Sequence, residues 1–287
     1  MIPLDQKKII NFKSGLYVVS TPIGNLLDIT LNAIEILKIS DLILCEDTRV
    51  SKKILEKYRI KNKELFAYHK FNEKKSLDKI IKLLDNQKIV SIISDAGTPC
   101  ISDPGSILIN ECVNRKINIF SIPGPSSVIS AISISGFSDK FIFFGFFPEK
   151  IKDIKKEIEI LSKSNLSVVF FVSAKKFKKI TVHLKKFFSD RKILICKELT
   201  KMYEQHFRLN VSEIETFNTD LRGEITLVLS EKYKSESNMK LSEKDKKIIR
   251  KLMKRLSIKD VVTEIKKNKD IPKKKIYNYC LQVKNEK

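Results

Sequence analysis

The chain has 287 residues, enough for two domains, and its 56 Lys+Arg against 34 Asp+Glu give a net charge of +22, which points to a polyanionic partner. Five cysteines (Cys45, Cys100, Cys112, Cys196, Cys280) lack any Cys-x-x-Cys spacing and three histidines lack ligand spacing; the pattern speaks against a disulfide framework or a metal site and fits a reducing cytoplasm. No signal-peptide-like apolar region opens the chain, and the aromatic run from Phe141 to Phe147 is too short to span a bilayer, so a cytoplasmic protein without a membrane partner is expected.

The first half alternates strand and helix patterns. Leu16 to Val19 reads as a strand, and Ile29, Leu31, Ala33, Ile34, Leu37 and Ile39 recur on a helical face. Leu42 to Cys45 is a second strand, Val50 to Tyr58 a helix, Leu65 to Ala67 a short strand and Leu77 to Leu84 another helix. Ile89 to Ile93, a helix over 107–113, Ile117 to Ile122 and a helix from Val128 to Ile134 complete the series. This βα alternation predicts a domain with a mainly parallel sheet over residues 1–138.

A second α/β unit, richer in strand, is expected over 139–233. It opens at Phe143 to Pro148 and continues with a helix from Lys155 to Leu161, a strand from Ser167 to Val172 and a helix from Lys176 to Phe188. Lys192 to Cys196, Gln205 to Leu209 and Ile225 to Leu229 are further strands. Lys234 to Asn238 is polar and reads as a linker. Residues 240–287 read as three short helices. Ser242-x-x-Asp245 and Ser257-x-x-Asp260 form capping pairs, and Pro272 suits a first helical turn. Their apolar faces are expected from Ile248, Ile249 and Leu252, then Val261, Val262 and Ile265, then Ile276, Tyr277, Cys280 and Leu281. This segment holds 17 Lys+Arg against 6 Asp+Glu, a net of +11. Half the excess charge thus lies in a sixth of the chain, whereas drift toward Lys-rich composition would spread it evenly.

The chemistry concentrates where strands end, the position at which α/β sheets bind ligands. Ser94-Asp95-Ala96-Gly97-Thr98-Pro99-Cys100-Ile101-Ser102-Asp103-Pro104-Gly105 packs two glycines, two prolines and two carboxylates behind a buried strand. Glycine admits close backbone approach and proline stiffens the loop. Ser20 to Asn25 and Pro123 to Ser127 are loops of the same kind, and Glu46-Asp47-Thr48-Arg49 sets charges directly after an apolar strand. Four such ends suggest one shared crevice. The fingerprints Gly-x-G-x-x-Gly and Gly-Lys-Ser/Thr are absent, which weakens dinucleotide and nucleoside triphosphate readings.

Thr21-Pro22-Ile23-Gly24-Asn25-Leu26 followed by Asp28-Ile29-Thr30, then Glu46 to Arg49, Ser94 to Gly105 and Pro123 to Ser126, resemble the ribosomal RNA small-subunit methyltransferase I family over residues 15–137, and more weakly to the C-terminus. The resemblance implies a two-domain, tetrapyrrole-methylase-like α/β fold with a helix-turn-helix-like tail. It also implies S-adenosyl-L-methionine as cofactor and 2′-O-methylation of a cytidine near the decoding centre of 16S rRNA, the partner being that RNA or the small ribosomal subunit. Pro22, Gly24, Asn25, Asp95, Ala96, Gly97, Thr98, Pro99, Pro123, Gly124, Pro125 and Ser126 are then the expected cofactor residues, since such loops can read adenine, ribose and amino-acid groups.

Arg49 and Lys273, Lys274 and Lys275 are the expected RNA contacts, with Arg49 equally suited to an internal pair with Glu46 or Asp47. The base that takes the hydroxyl proton stays open among Glu46, Asp47 and Asp95. Asp103 is expected to shape its loop or the next helix, and His69 to be structural. His69, Asn72 and Glu73 match the family's His-x-x-Asn-Glu, and Glu198-Leu199-Thr200 its Glu-Leu-Thr. Val172-Ser173-Ala174-Lys175-Lys176 departs from the family's Glu-Ser-x-His-Arg. A first loop less rich in glycine than in porphyrinoid-modifying relatives favours the RNA branch. Tetrapyrrole C-methylation and non-catalytic nucleic-acid binding are the alternatives, the latter leaving the four loops unexplained. Both a monomer and a homodimer stay open.

Overall fold

An apolar strand without alternation must hide both faces, so it belongs between two layers of helix. The computed structural model, which describes residues 12–219, 221–232, 241–268, 271 and 273–285, shows this for the first half of the chain. Strands β1 (Gly15–Val19), β2 (Leu42–Cys45), β3 (Glu64–Ala67), β4 (Ile89–Ile92) and β5 (Ile119–Ile122) form a sheet of order β3-β2-β4-β1-β5. Every pairing in it is parallel. Side chains alternate across it. Leu16 and Val18 join one core with Leu44, Val90 and Ile80, whereas Tyr17 and Val19 join the other with Ile36, Ile43 and Leu55. Helices α1 (Leu31–Ile39) and α2 (Thr48–Lys57) supply the second core, and α3 (Glu73–Asp85) and α4 (Ser106–Asn114) the first.

Helix α5 (Ser127–Ser135) serves the second sheet instead: its Val128 and Ala131 pack with Val169, Leu194, Cys196 and Val228. That sheet comprises β6 (Phe141–Phe146), β7 (Ser167–Ser173), β8 (Lys192–Lys197), β9 (Gln205–Asn210) and β10 (Glu224–Leu229) in the order β6-β7-β10-β8-β9. Only β6 and β7 run parallel; the other three pairings are antiparallel. Its outer face is covered by a π-helical stretch Ile154–Ile158, which continues the short α6 (Ile151–Asp153), and by α7 (Glu159–Lys163) and α8 (Ala174–Phe188).

Several helices start earlier than their apolar pattern indicates. Helix α2 begins at Thr48 rather than Val50, and α3 at Glu73 rather than Leu77. First turns are polar because their free N–H groups need acceptors, so hydrophobic periodicity does not register them. Asp47 caps α2 by accepting from the Arg49 N–H. The expected charged loop Glu46 to Arg49 is therefore corrected to one strand-end residue, one cap and the first turn of a helix.

Three further helices, α9 (Glu243–Leu252), α10 (Ile258–Asn268) and α11 (Lys273–Asn285), enclose Ile249, Val261, Ile265, Ile276 and Cys280. Ser242 and Asp245 form a reciprocal capping box. At Ser257 the hydroxyl accepts from the Asp260 N–H at 3.3 Å. Ile248, Tyr277 and Leu281 point outward, contrary to the expected faces. A three-helix cluster of this size has room for only one narrow stripe per helix. Pro272 and the linker Lys234 to Asn238 lie outside the described residues.

Candidate active site

The loops at the C-terminal ends of β1, β4 and β5 are sewn together by hydrogen bonds. Thr21 N–H donates to Gly97 O at 2.8 Å and Gly97 N–H to Thr21 O at 3.1 Å, a two-residue antiparallel bridge between loops. The Thr21 hydroxyl donates to Ser94 O at 3.0 Å, and the Thr98 hydroxyl, 3.0 Å from that of Ser20, donates to Pro125 O at 3.1 Å. Gly97 has φ +82°, and a Cβ there would lie 3.2 Å from the Ile23 side chain. Its glycine is thus required by the bridge, since a left-handed φ is costly for any β-branched residue.

Beside these loops lies a cavity of about 560 Å³, within the range of small-molecule and cofactor sites. Asp95, Ala96, Gly97 and Thr98 line one wall with Ile23 and Ser126. Glu46 enters from the end of β2, and His69, Lys70 and Phe71 from the turn after β3. The opposite wall comes from the second sheet: Phe146 of β6, Phe171 to Ser173 of β7, Cys196 of β8, the turn residues Glu198, Leu199 and Lys201, and Glu224 to Thr226 of β10.

Five carboxylates line this space, Glu46, Asp95 and Asp103 on the first-sheet side and Glu198 and Glu224 on the second. Burial, reinforced by Asp103 and Asp95, pushes Glu46 up to about 7. Burial likewise raises Asp103 to about 6, with Lys70 opposing it and Asp95 adding to it. Asp95 is raised mainly by burial, and its Oδ1 is buried without a hydrogen-bond partner. Carboxylates crowded in a half-dry site favour a cationic ligand, because positive charge relieves both the desolvation and the mutual repulsion. Among the described residues no group of three or more His, Cys, Asp or Glu could hold a metal ion.

The second-sheet wall is strained. Glu198 (φ 53°) and Thr200 (φ 62°) are non-glycine residues in the left-handed region, as are Cys100 (φ 66°) and Ser102 (φ 71°) across the cavity. Such residues cost on the order of 1–3 kcal/mol each and persist where surrounding structure compels them. Here the compulsion is visible. Asn25 N–H donates to the Thr200 hydroxyl at 3.0 Å, Thr200 N–H to Glu204 Oε2 at 2.7 Å, and Lys201 Nζ to Glu198 Oε1 at 3.0 Å. A Cβ on Gly24 would sit 2.5 Å from the Lys201 side chain, so glycine lets the first loop touch the second-sheet turn.

Of the expected cofactor residues, Asp95, Ala96, Gly97, Thr98 and Ser126 line the cavity. Pro22 and Pro99 are buried behind it, Gly24 and Asn25 contact the turn at 199–201, and Pro123, Gly124 and Pro125 form the loop that receives Thr98. Asp47 and Arg49 are off the cavity lining and bind each other, Arg49 Nη2 to Asp47 Oδ2 at 2.7 Å and Nε to Oδ1 at 3.1 Å. The guanidinium holds the Asp47 carboxyl well below the usual carboxylate range. Lys273, Lys274 and Lys275 are exposed in the first turn of α11.

Asp103 is a correction: it faces the cavity, and α4 is capped at Gly105, whose N–H donates to Glu73 Oε1 at 2.6 Å. Phe71, Phe146, Phe171, Glu224 and Thr226 were not singled out from sequence. They sit in ordinary strand and turn contexts, and only sheet packing turns them toward the site. On that side the sequence offers Glu198 and Leu199, matched to a motif without an assigned role, and Val172 and Ser173 of the segment that departs from the family pattern.

The sheet order, the loop cluster and the cavity between two sheets define the tetrapyrrole methylase class of fold. The family model described as Tetrapyrrole (Corrin/Porphyrin) Methylases matches residues 15–215. A solved structure of similar fold is uroporphyrin-III C-methyl transferase from Thermus thermophilus complexed with S-adenyl homocysteine, at TM-score 0.54 and 14% identity, covering 75% of this chain and 97% of that one. A ribosomal RNA small subunit methyltransferase I from Mesomycoplasma conjunctivae is 42% identical over 218 residues, 76% of this chain and 91% of the relative. The protein of that name from Bacillus subtilis is 32% identical and covers 92% of both chains, so the similarity extends into the helical tail. The chain belongs to the ribosomal RNA small subunit methyltransferase I family, within the tetrapyrrole methylases.

Replacing Gly97 tests the bridge. Gly97→Val forces a β-branched residue to positive φ and parts the loops of β1 and β4. Its affinity for S-adenosylmethionine should fall at least tenfold by calorimetry while the far-ultraviolet circular dichroism stays that of the parent. Undiminished affinity would remove this loop from the ligand site.

Proposed function

We propose that the protein transfers a methyl group from S-adenosylmethionine to the ribose 2′-hydroxyl of a cytidine in the decoding region of 16S rRNA. The observation that carries this reading is the cluster Glu46, Asp95 and Asp103 on a cofactor-sized cavity in a chain of this family. The cluster suits the ligand, because Asp95 offers a buried, unpartnered oxygen and its neighbours are short of positive charge.

When bound, S-adenosylmethionine supplies a methyl carbon made electrophilic by a sulfonium. Asp95 to Thr98, Ile23 and Ser126 would hold it, with Pro22, Gly24, Asn25, Pro99 and Pro123 to Pro125 fixing those loops from behind. Holding the ribose oxygen in line with the methyl carbon could supply about 7–11 kcal/mol of the barrier lowering. Glu46 is the proton acceptor. Raised to about 7, it is a stronger base than an ordinary carboxylate and remains partly ionised near neutral pH. Asp47 is unsuited, since its lone pairs are engaged by Arg49 and its proton affinity is low. The same pairing occupies Arg49, which weighs against a phosphate role.

The tail supplies nonspecific attraction to RNA. Lys273, Lys274 and Lys275 crowd the first turn of α11, where positive charge opposes the helix dipole. A stabilising role within the protein therefore does not account for them, and a polyanion does.

The reaction is tested by alkaline hydrolysis of 16S rRNA. A 2′-O-methyl group removes the nucleophile that cleaves the neighbouring phosphate, so one decoding-region linkage should resist alkali only when the protein is present. A methyl on a base atom would refute the ribose assignment, and turnover of a porphyrinoid without an RNA product would place the chain in the other branch.

Glu46 gives the pH dependence. With an ionised base required, kcat/KM should rise with unit slope below about pH 7 and level above it. Glu46→Gln should lose that limb and about 10²- to 10⁴-fold in rate. The sign for stability is opposite. A carboxyl raised from 4.5 to about 7 binds its proton more tightly in the folded state, so its stabilising contribution is full below pH 4.5 and is lost as pH rises through 7. The Tm of Glu46→Gln should therefore fall less between pH 5 and 8 than that of the parent.

Deleting residues 234–287 should weaken binding to small subunits and flatten its dependence on salt, because fewer counterions are released. Cofactor affinity should stay unchanged in calorimetry. An unaltered salt slope would show the tail to be only a solvated surface.

A further inference from the structure

Phe71 stands at the cavity rim with its side chain 93% exposed. Large apolar side chains normally retreat from water, and this one is held out by a tightly braced turn. Asn72 Oδ1 accepts from the His69 N–H at 2.8 Å, and Asn72 Nδ2 donates to Ala67 O at 2.7 Å. The N–H groups of Asn72 and Glu73 donate to His69 O at 2.9 and 3.1 Å. Glu73 Oε1 accepts from the Gly105 N–H at 2.6 Å, which ties the turn to the loop after β4, and the preceding Tyr68 is 1% exposed. The rings of Phe71 and His69 meet edge to face, with centroids 6.0 Å apart and planes at 63°, and the contact leaves Phe71 93% exposed.

The rim has matching neighbours. Lys70 also lines the cavity, and Ile101 and Phe146, 46% and 61% exposed, stand on the same lining. A rigid aromatic face beside a cation is the combination that single-stranded nucleic acid demands: the ring stacks a base while the cation meets the backbone. A ribose hydroxyl can enter a recessed site only if its nucleotide leaves the helical stack, and an aromatic face offsets the stacking that is lost.

We infer that Phe71 is the stacking platform for an unpaired base of the RNA substrate, with Lys70 contacting the adjoining phosphate. The inference rests on the proposed function and adds how the substrate is held. It commits the enzyme to an unpaired strand and makes Phe71 a substrate-binding residue distinct from the cofactor loops.

The test compares Phe71→Ala, Phe71→Leu and Phe71→Tyr with the parent on small subunits lacking the modification. Phe71→Ala and Phe71→Leu should raise KM for the subunit about tenfold or more, while Phe71→Tyr should keep the parental value. Calorimetric affinity for S-adenosylmethionine should be the same in all four proteins. An unchanged KM in Phe71→Ala would overturn the inference. So would restoration by Leu equal to that by Tyr, which would show mere apolar cover, or a loss of cofactor affinity, which would assign the ring to the donor. A second readout is independent of methyl transfer. A single-stranded RNA oligonucleotide carrying 2-aminopurine should change its fluorescence on binding the parent and not on binding Phe71→Ala. A parent that shows this Phe71-dependent signal but methylates no RNA would refute the proposed reaction and leave the stacking role standing. An identical signal from both proteins would refute the stacking role.

Discussion

The paired hydrogen bonds between Thr21 and Gly97 are the constraint on which the site depends. Parallel strands end side by side, and their loops project from one edge of the sheet without a ladder to order them. The bridge supplies one at the point where β1 and β4 release their chains. It consumes the backbone groups of Gly97, demands a left-handed φ there, and leaves the side chains of Asp95 and Thr98 to meet the cavity and the Pro125 carbonyl. Binding residues are thereby held on a rigid scaffold before any ligand arrives, which removes an ordering cost from binding.

The opposite wall obeys a different logic. The second sheet is largely antiparallel, and its contribution comes from strand surfaces and one strained turn. Asn25 of the first loop donates to Thr200 of that turn, while Gly24 permits the close approach. One contact therefore couples the two sheets beside the cavity, and the left-handed backbone at Glu198 and Thr200 is maintained by it and by Glu204. A cavity made this way has Glu46, Asp95 and Asp103 on the first-sheet side, and Phe146 and Phe171 together with Glu198 and Glu224 on the second.

Much of this was legible along the chain. Strands β1 and β2 are unbroken apolar runs, as expected of parallel strands buried on both faces. The loops that follow them stand out because Gly, Pro and Asp at such density are uncommon in a mere connector. The second sheet was less legible. Its strands were found, but their direction was not, since parallel and antiparallel pairing draw on the same residues. Helix starts at Thr48 and Glu73 escaped notice because polar first turns carry no periodicity.

What the amino-acid sequence determined by itself was local: the apolar runs, the capping box at Ser242, the glycine-proline loops, and the basic tail. What tertiary structure alone decided was which side chains meet. Arg49 and Asp47 satisfy each other, whereas Asp103, eight residues beyond Asp95, turns into the cavity through a backbone path that includes left-handed Cys100 and Ser102. Proton affinity was decided there too, because desolvation and charge repulsion depend on distances through space. The same glutamate would titrate as an ordinary carboxyl on an open surface, and only the closing of two sheets around Glu46 raises it toward neutrality.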